Sequence, residues 1–194
     1  MVTDAFIDWW FAPWNHAGED APPIPGDDAV GKRDAYRNWC AEAHVASDFP
    51  LQFDPAWSIV AGIEQAQLQH TASLFMGLIA ARQPDQSVLR SLPFDDQKWC
   101  LSIAATQPLQ PFSVNHPQSQ DDVHTRGLAE LAIRLEQGFP GLWSRLQLGL
   151  PLAIRSAVAI RMQNCWADQN QIARSSIRSQ RCWRWCRQRS EAHS

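Results

Sequence analysis

The chain has 194 residues, 45% of them hydrophobic, with 17 Lys and Arg against 20 Asp and Glu and a net charge of −3. That length suits one domain, or one domain with an arm, whose core needs neither disulfides nor a metal. The longest apolar run, Leu74 to Ala81, falls far short of the ~20 residues of a spanning helix, and the acidic start Met-Val-Thr-Asp lacks the basic region of a secretory signal; both point to a cytoplasmic protein.

Residues 1–26 read as an extended arm. Phe6, Ile7, Trp9, Trp10, Phe11 and Trp14 crowd together, and Pro22, Pro23 and Pro25 follow. The prolines forbid a continuous helix there. Such an arm is either a flap folded back on the core or a short docking segment. Residues 27–47 read as a first helix, capped by Asp27 or Asp28, with Val30, Ala35 and Trp39 on its apolar side. Asp54-Pro55 is a second start, Asp at the cap and Pro at the first helical position. From there a helix is expected to run to about residue 82, its second half apolar nearly all round and so buried.

Pro84 ends that helix, and 85–91 make a turn or a short helix. Another helix starts near Leu92, with Asp95 and Asp96 at its positive end and Trp99, Leu101 and Ile103 toward the core. Residues 107–122 are a polar loop with three prolines, longer than most connections. The charge changes sign there: residues 1–122 hold 6 Lys/Arg and 16 Asp/Glu, and residues 123–194 hold 11 and 4.

The stretch 124–151 reads as two short helices split by Gly138-Phe-Pro-Gly. Leu128, Leu131, Ile133 and Leu135 give the first an apolar side, with Arg126, Glu130, Arg134 and Glu136 on the polar side. Leu142, Trp143, Leu146 and Leu150 do the same for the second. Pro151 restarts a helix through Ile154, Val158 and Met162. A last basic helix, 171–189, interleaves Trp183 and Trp185 with Arg174, Arg178, Arg181, Arg184, Arg187 and Arg189. No segment alternates with a period of two between turn signals. The expected fold is all-α: a single irregular multi-helix domain at 27–190 with an N-terminal arm.

Chemical motifs are sparse. There is no Gly-rich phosphate loop, no His-Glu-x-x-His, no Gly-x-Ser-x-Gly and no Cys-x-x-Cys. The paired acids at 27–28, 95–96 and 121–122 read as caps. Cys182 and Cys186 share a helix face, but two ligands do not make a structural zinc site. All five cysteines are therefore expected as free thiols, with no metal, cofactor or catalytic residue. A helical enzyme assembled from isolated residues such as His70, Asp96 and Cys100 is the remaining chemical alternative. The Arg/Trp tail suits an acidic protein partner, nucleic acid or an acidic lipid surface, or is an exposed amphipathic helix and nothing more.

The order of the elements carries a resemblance. The helix His70-Thr-Ala-Ser-Leu-Phe-Met-Gly-Leu-Ile-Ala-Ala-Arg, the segment Leu92-Pro-Phe-Asp-Asp-Gln-Lys-Trp-Cys-Leu, and the stretch from Gly127-Leu-Ala-Glu-Leu-Ala to Leu146-Gln-Leu-Gly-Leu-Pro follow an aromatic N-terminus. Together they resemble the SctK group of type III secretion accessory proteins (YscK, PscK, OrgA and MxiK), with the Hrp branch nearby. The resemblance covers about residues 70–151 and brings no catalytic motif. It implies a helical, non-enzymatic adaptor at the cytoplasmic face of the inner membrane. Such an adaptor joins the cytoplasmic domain of the inner-membrane ring to the C-ring-like protein of the sorting platform. It would bind neither nucleic acid nor a small-molecule substrate. The expected partner contacts are Arg181, Trp183, Arg184 and Arg187 in the tail and Trp9, Trp10 and Trp14 in the arm. The alternative is a small nucleic-acid-binding or regulatory protein acting through the tail.

Overall fold

The computed structural model describes residues 2–24, 31–83, 86–112, 122–165 and 176–192. The chain is all-α, and no strand occurs among the described residues. Its helices are α1 (Asp4–Phe11), α2 (Lys32–Glu42), α3 (Gln65–Ala80), α4 (Ser87–Arg90), α5 (Phe94–Thr106), α6 (Val123–Gly138), α7 (Leu142–Leu146), α8 (Leu152–Cys165) and α9 (Ser176–Glu191). Short 3-10 turns add Pro13–Asn15, Pro55–Val60 and Gln147–Gly149. The chain forms two compact units, one of residues 1–62 and 135–155, the other of 63–134 and 156–194.

In the first unit the N-terminal aromatics are helical, not extended. Thr3 caps α1 by accepting from the Phe6 amide, which satisfies one of the free donors of the first turn. The helix then folds down onto Phe139. Phe6, Trp10, Phe49 and Phe53 all pack around that ring, at centroid separations of 4.7–5.8 Å. Phe139 comes from the Gly-Phe-Pro-Gly link, so the residues that break the helix also supply the centre of this cluster. Gly141, at φ 79°, turns the chain into α7, a conformation glycine adopts without strain. A second cluster joins Trp39, Cys40, Val45 and Leu148, with Trp14 and Tyr36 against it.

The helix expected from 55 to 82 is interrupted. Asp54 does cap Pro55–Val60, accepting from the Ala56 amide at 3.0 Å. Gly62, however, sits at φ 71°, in the left-handed region that cannot continue a right-handed helix. α3 starts afresh at Gln65 and is buried along most of its second half, as its sequence implies.

The second unit is built on α3, with α9, α5 and α4 packed against it. Gly127 lets α6 cross α3 at the Ala72 carbonyl; a Cβ there would overlap the backbone. Phe75 meets Trp183 edge-on at 5.7 Å. In α5 the buried side is Asp96, Cys100 and Ala104, spaced four apart. Leu101, expected inside, is 46% exposed: a helix brings residues four apart to one face, whereas residues two apart point to different sides.

Glu130 and Arg134, read as a polar outer side of α6, are buried. The Arg134 guanidinium bonds the Glu130 carboxylate, the Ser179 hydroxyl of α9 and the Gln110 carbonyl. Glu130 in turn accepts the Phe112 amide, and the Phe112 ring lies 4.0 Å from the guanidinium. One ion pair thus fixes the 107–112 segment and α9 to α6. Arg134→Met leaves the Glu130 carboxylate buried without its counter-charge. It is expected to cost about 3–5 kcal/mol in urea unfolding, and the double change Glu130→Leu with Arg134→Met clearly less.

Candidate functional site

The side chains His70, Asp96 and Ser190, which could together do chemistry, lie in the second unit and are engaged in holding it together. His70 on α3, Asp96 on α5 and Ser190 on α9 form a hydrogen-bonded line. The Ser190 hydroxyl is 3.2 Å from His70 Nδ1, and His70 Nε2 is 3.2 Å from Asp96 Oδ2. The order resembles that of a nucleophile, a base and an orienting acid, but the surroundings differ. Ser190 is wholly buried and also donates toward the Gln67 carbonyl. Asp96 is bonded through its other oxygen by Arg189. A nucleophile must reach its substrate; this hydroxyl instead ties α9 to α3. Asp96 is an ion-pair partner rather than the cap expected of it, whereas Asp122 does cap α6, accepting the Thr125 amide at 2.8 Å.

Four cysteines, at 40, 100, 182 and 186, are free and buried. Burial pushes the Cys100 thiol up to about 12 and Cys182 up to about 11, and raises Cys186 well above its ordinary value. They are neutral thiols at physiological pH, the opposite of an activated thiolate. The Cys165 side chain lies outside the described residues. Among the described residues no group of three or more His, Cys, Asp or Glu is placed to hold a metal.

The tail is amphipathic. Arg181 and Arg184 are exposed and have no ion-pair partner among the described residues, while Arg187 pairs with Glu191 at 2.8 Å. Trp183 is fully buried against Phe75, so it is core and not a surface contact. The same correction applies to Trp10, buried under Phe139 and Arg145. Trp9 is half-buried, stacked on His16 at 4.6 Å. Trp14 is half-buried and lines a groove. The 171–175 part of the expected tail helix, with Arg174, lies outside the described residues.

That groove is in the first unit and has a volume of about 770 Å³. Phe11, Trp14, Tyr36 and Phe49 floor it, and Lys32, Arg33 and Arg37 stand along one side. Its shape follows from the buried Arg145 of α7. This guanidinium donates to the Trp10 carbonyl at 3.1 Å, the Tyr36 hydroxyl at 3.0 Å and the Ala46 carbonyl at 2.6 Å. It also lies over the Trp10 ring at 3.6 Å. Tyr36 passes the constraint on, donating to the Ser47 carbonyl at 2.9 Å. Burial raises the Tyr36 phenol to about 12, so it stays a neutral donor. The arginines and Phe49 were not singled out from the sequence. The available signal was that Lys32, Arg33 and Arg37 are the whole Lys/Arg content of residues 1–62, against 10 Asp/Glu.

Comparison with family models, with curated proteins and with solved structures finds no match to this chain. No helix among the described residues is long and apolar enough to cross a membrane.

His16 gives the first unit a pH dependence. Burial, then the nearby Arg145 charge, lowers its imidazole from 6.5 to about 4. Neither ring nitrogen has a hydrogen-bond partner among the described residues. Between those values the unfolded chain binds a proton that the folded chain refuses, so stability falls as pH falls from 6.5 to about 4. Urea unfolding should show wild type losing on the order of 2 kcal/mol more than His16→Phe between about pH 7 and about pH 4.5.

Proposed function

We propose that this chain is a protein-binding adaptor that works by surface complementarity, without chemistry of its own. The observation that carries this reading is the groove of the first unit: an open, aromatic-floored cleft held by buried hydrogen bonds. Aromatic and Arg side chains are the residues that most often anchor protein partners. The exposed Arg181 and Arg184 offer a second contact surface for an acidic partner. With Trp183 buried, half-buried Trp185 is what the described tail offers for stacking beside phosphate contacts, a small platform that favours a protein partner over the nucleic-acid alternative.

The setting proposed for the adaptor is the cytoplasmic base of a type III secretion apparatus, peripheral to the inner membrane. It would lie between the cytoplasmic domain of the ring protein and the C-ring-like sorting-platform protein. This part rests on the resemblance of residues 70–151 alone. Affinity capture from the source cell, identifying both proteins and nucleic acid, tests it with wild type, Arg181→Glu/Arg184→Glu and Arg33→Glu/Arg37→Glu. Wild type is expected to recover secretion-apparatus proteins, and at least one double variant to lose them. Nucleic acid alone, released by moderate salt, would contradict it.

A further inference from the structure

The distribution of charge around the groove says what it binds. Residues 1–62 carry 3 Lys/Arg and 10 Asp/Glu, and all three cations line this one cleft. They are neighbours because α2 places them so: Lys32, Arg33, Tyr36 and Arg37 fall at helical spacings of one, four and five, which share a face. Arg33 and Arg37 are exposed and bond no described residue. Among the described residues, the single acid in the lining is Asp48, on the 47–49 side.

The rest of the lining is apolar and partly open to solvent. Phe11 is 42% exposed and Ile24 68%. Phe11 stands 5.6 Å from Tyr36 and 6.4 Å from Phe49, so the rings form a continuous floor. Exposing such side chains is unfavourable, and covering them releases ordered water at about 25 cal/mol per Å². Because the bonds through Arg145 and Tyr36 already fix the sides, an occupant need not order them on arrival.

We infer that the groove of the first unit is the docking site for an acidic, amphipathic segment of a partner protein, with apolar side chains entering the aromatic floor and carboxylates meeting Arg33 and Arg37. The inference rests on the adaptor reading and names the partner's chemistry. Guanidinium forks match carboxylates in two parallel hydrogen bonds, which gives orientation as well as attraction. A phosphate polymer fits poorly, because it would cross the surrounding acidic chain, whereas a short peptide places its carboxylates only where the cations are. The cleft lies within the size range of sites for small ligands and peptide anchors, about 300–1,000 Å³.

The test uses the full chain and a short fluorescent helical peptide of Glu, Leu and Phe, beside a twin with Lys in place of every Glu. Anisotropy should show the Glu peptide binding and the Lys twin not, with binding weakened by added salt. Arg33→Glu/Arg37→Glu should weaken it by about tenfold or more, and Ile24→Asp by a similar factor. All three positions are exposed, so both variants should keep the wild-type circular dichroism. Equal binding of the two peptides, or binding that neither variant changes, would overturn the inference. So would a dimer that the variants abolish, which assigns the groove to a second copy of this chain. If the Glu peptide fails while Arg33→Glu/Arg37→Glu still strips partners in the cell, the acidic chemistry falls and the adaptor reading stands.

Discussion

The first unit depends on one buried guanidinium. Arg145 is fully buried and stays charged. A buried charge must be met by dipoles or by an opposite charge, and here most of the compensation comes from neutral groups. The Trp10 and Ala46 carbonyls, the Tyr36 hydroxyl and the Trp10 ring face surround it. Glu136 is a carboxylate whose charge acts on it, itself raised by burial and held by amides of the α7 start, Gly141 among them. Three of the Arg145 partners sit next to, or are, a residue of the groove: Trp10 precedes Phe11, Ala46 precedes Ser47, and Tyr36 is in the floor; a fourth, the Gly141 carbonyl, lies in its own turn. Satisfying the buried charge and shaping the cleft thus share most of their bonds.

The second unit solves a similar problem with paired charges. Glu130 meets Arg134 and Asp96 meets Arg189, with His70 hydrogen-bonded to the other Asp96 oxygen. Such networks add little net stability compared with apolar packing, but they tolerate few alternative arrangements. They set where α9 lies on α3 and where residues 107–112 lie on α6. The residues that looked most able to react are therefore positioned by structural bonds, and the open, unsatisfied surface is in the first unit and along the exposed side of α9.

The all-α character and most helix positions were legible in the sequence because they follow from local signals. Apolar spacing marked α3, α6 and α7, Asp54-Pro55 marked a start, and the Gly-Phe-Pro-Gly link marked a break. Gly62 was a weaker signal, since a single glycine in an apolar pattern does not reveal its φ. The extended arm was misread because the prolines at 22–25 say nothing about residues 4–11, where Thr3 and Asp4 already make a helix start. The buried polar groups were illegible for a different reason. Ser190 and His70 are 120 residues apart and Arg145 and Tyr36 109 apart; no local pattern announces a partner at that distance. Trp183 and Trp10 illustrate the same limit, since tryptophan serves both cores and interfaces. The Arg33/Arg37 pair was visible as the isolated cations of an acidic stretch, but only the fold shows that aromatic rings stand beside them.

The central claim is that the Arg145 guanidinium assembles the groove. Hydrogen–deuterium exchange on Arg145→Met, which keeps an unbranched apolar stem and removes the donors, tests it directly. The account predicts that amides in 4–16, 32–49 and 142–150 lose protection together, because all three segments are tied to one group. Loss confined to 142–150, with 4–16 and 32–49 as protected as in wild type, would contradict it and leave the aromatic packing around Phe139 as what holds the groove.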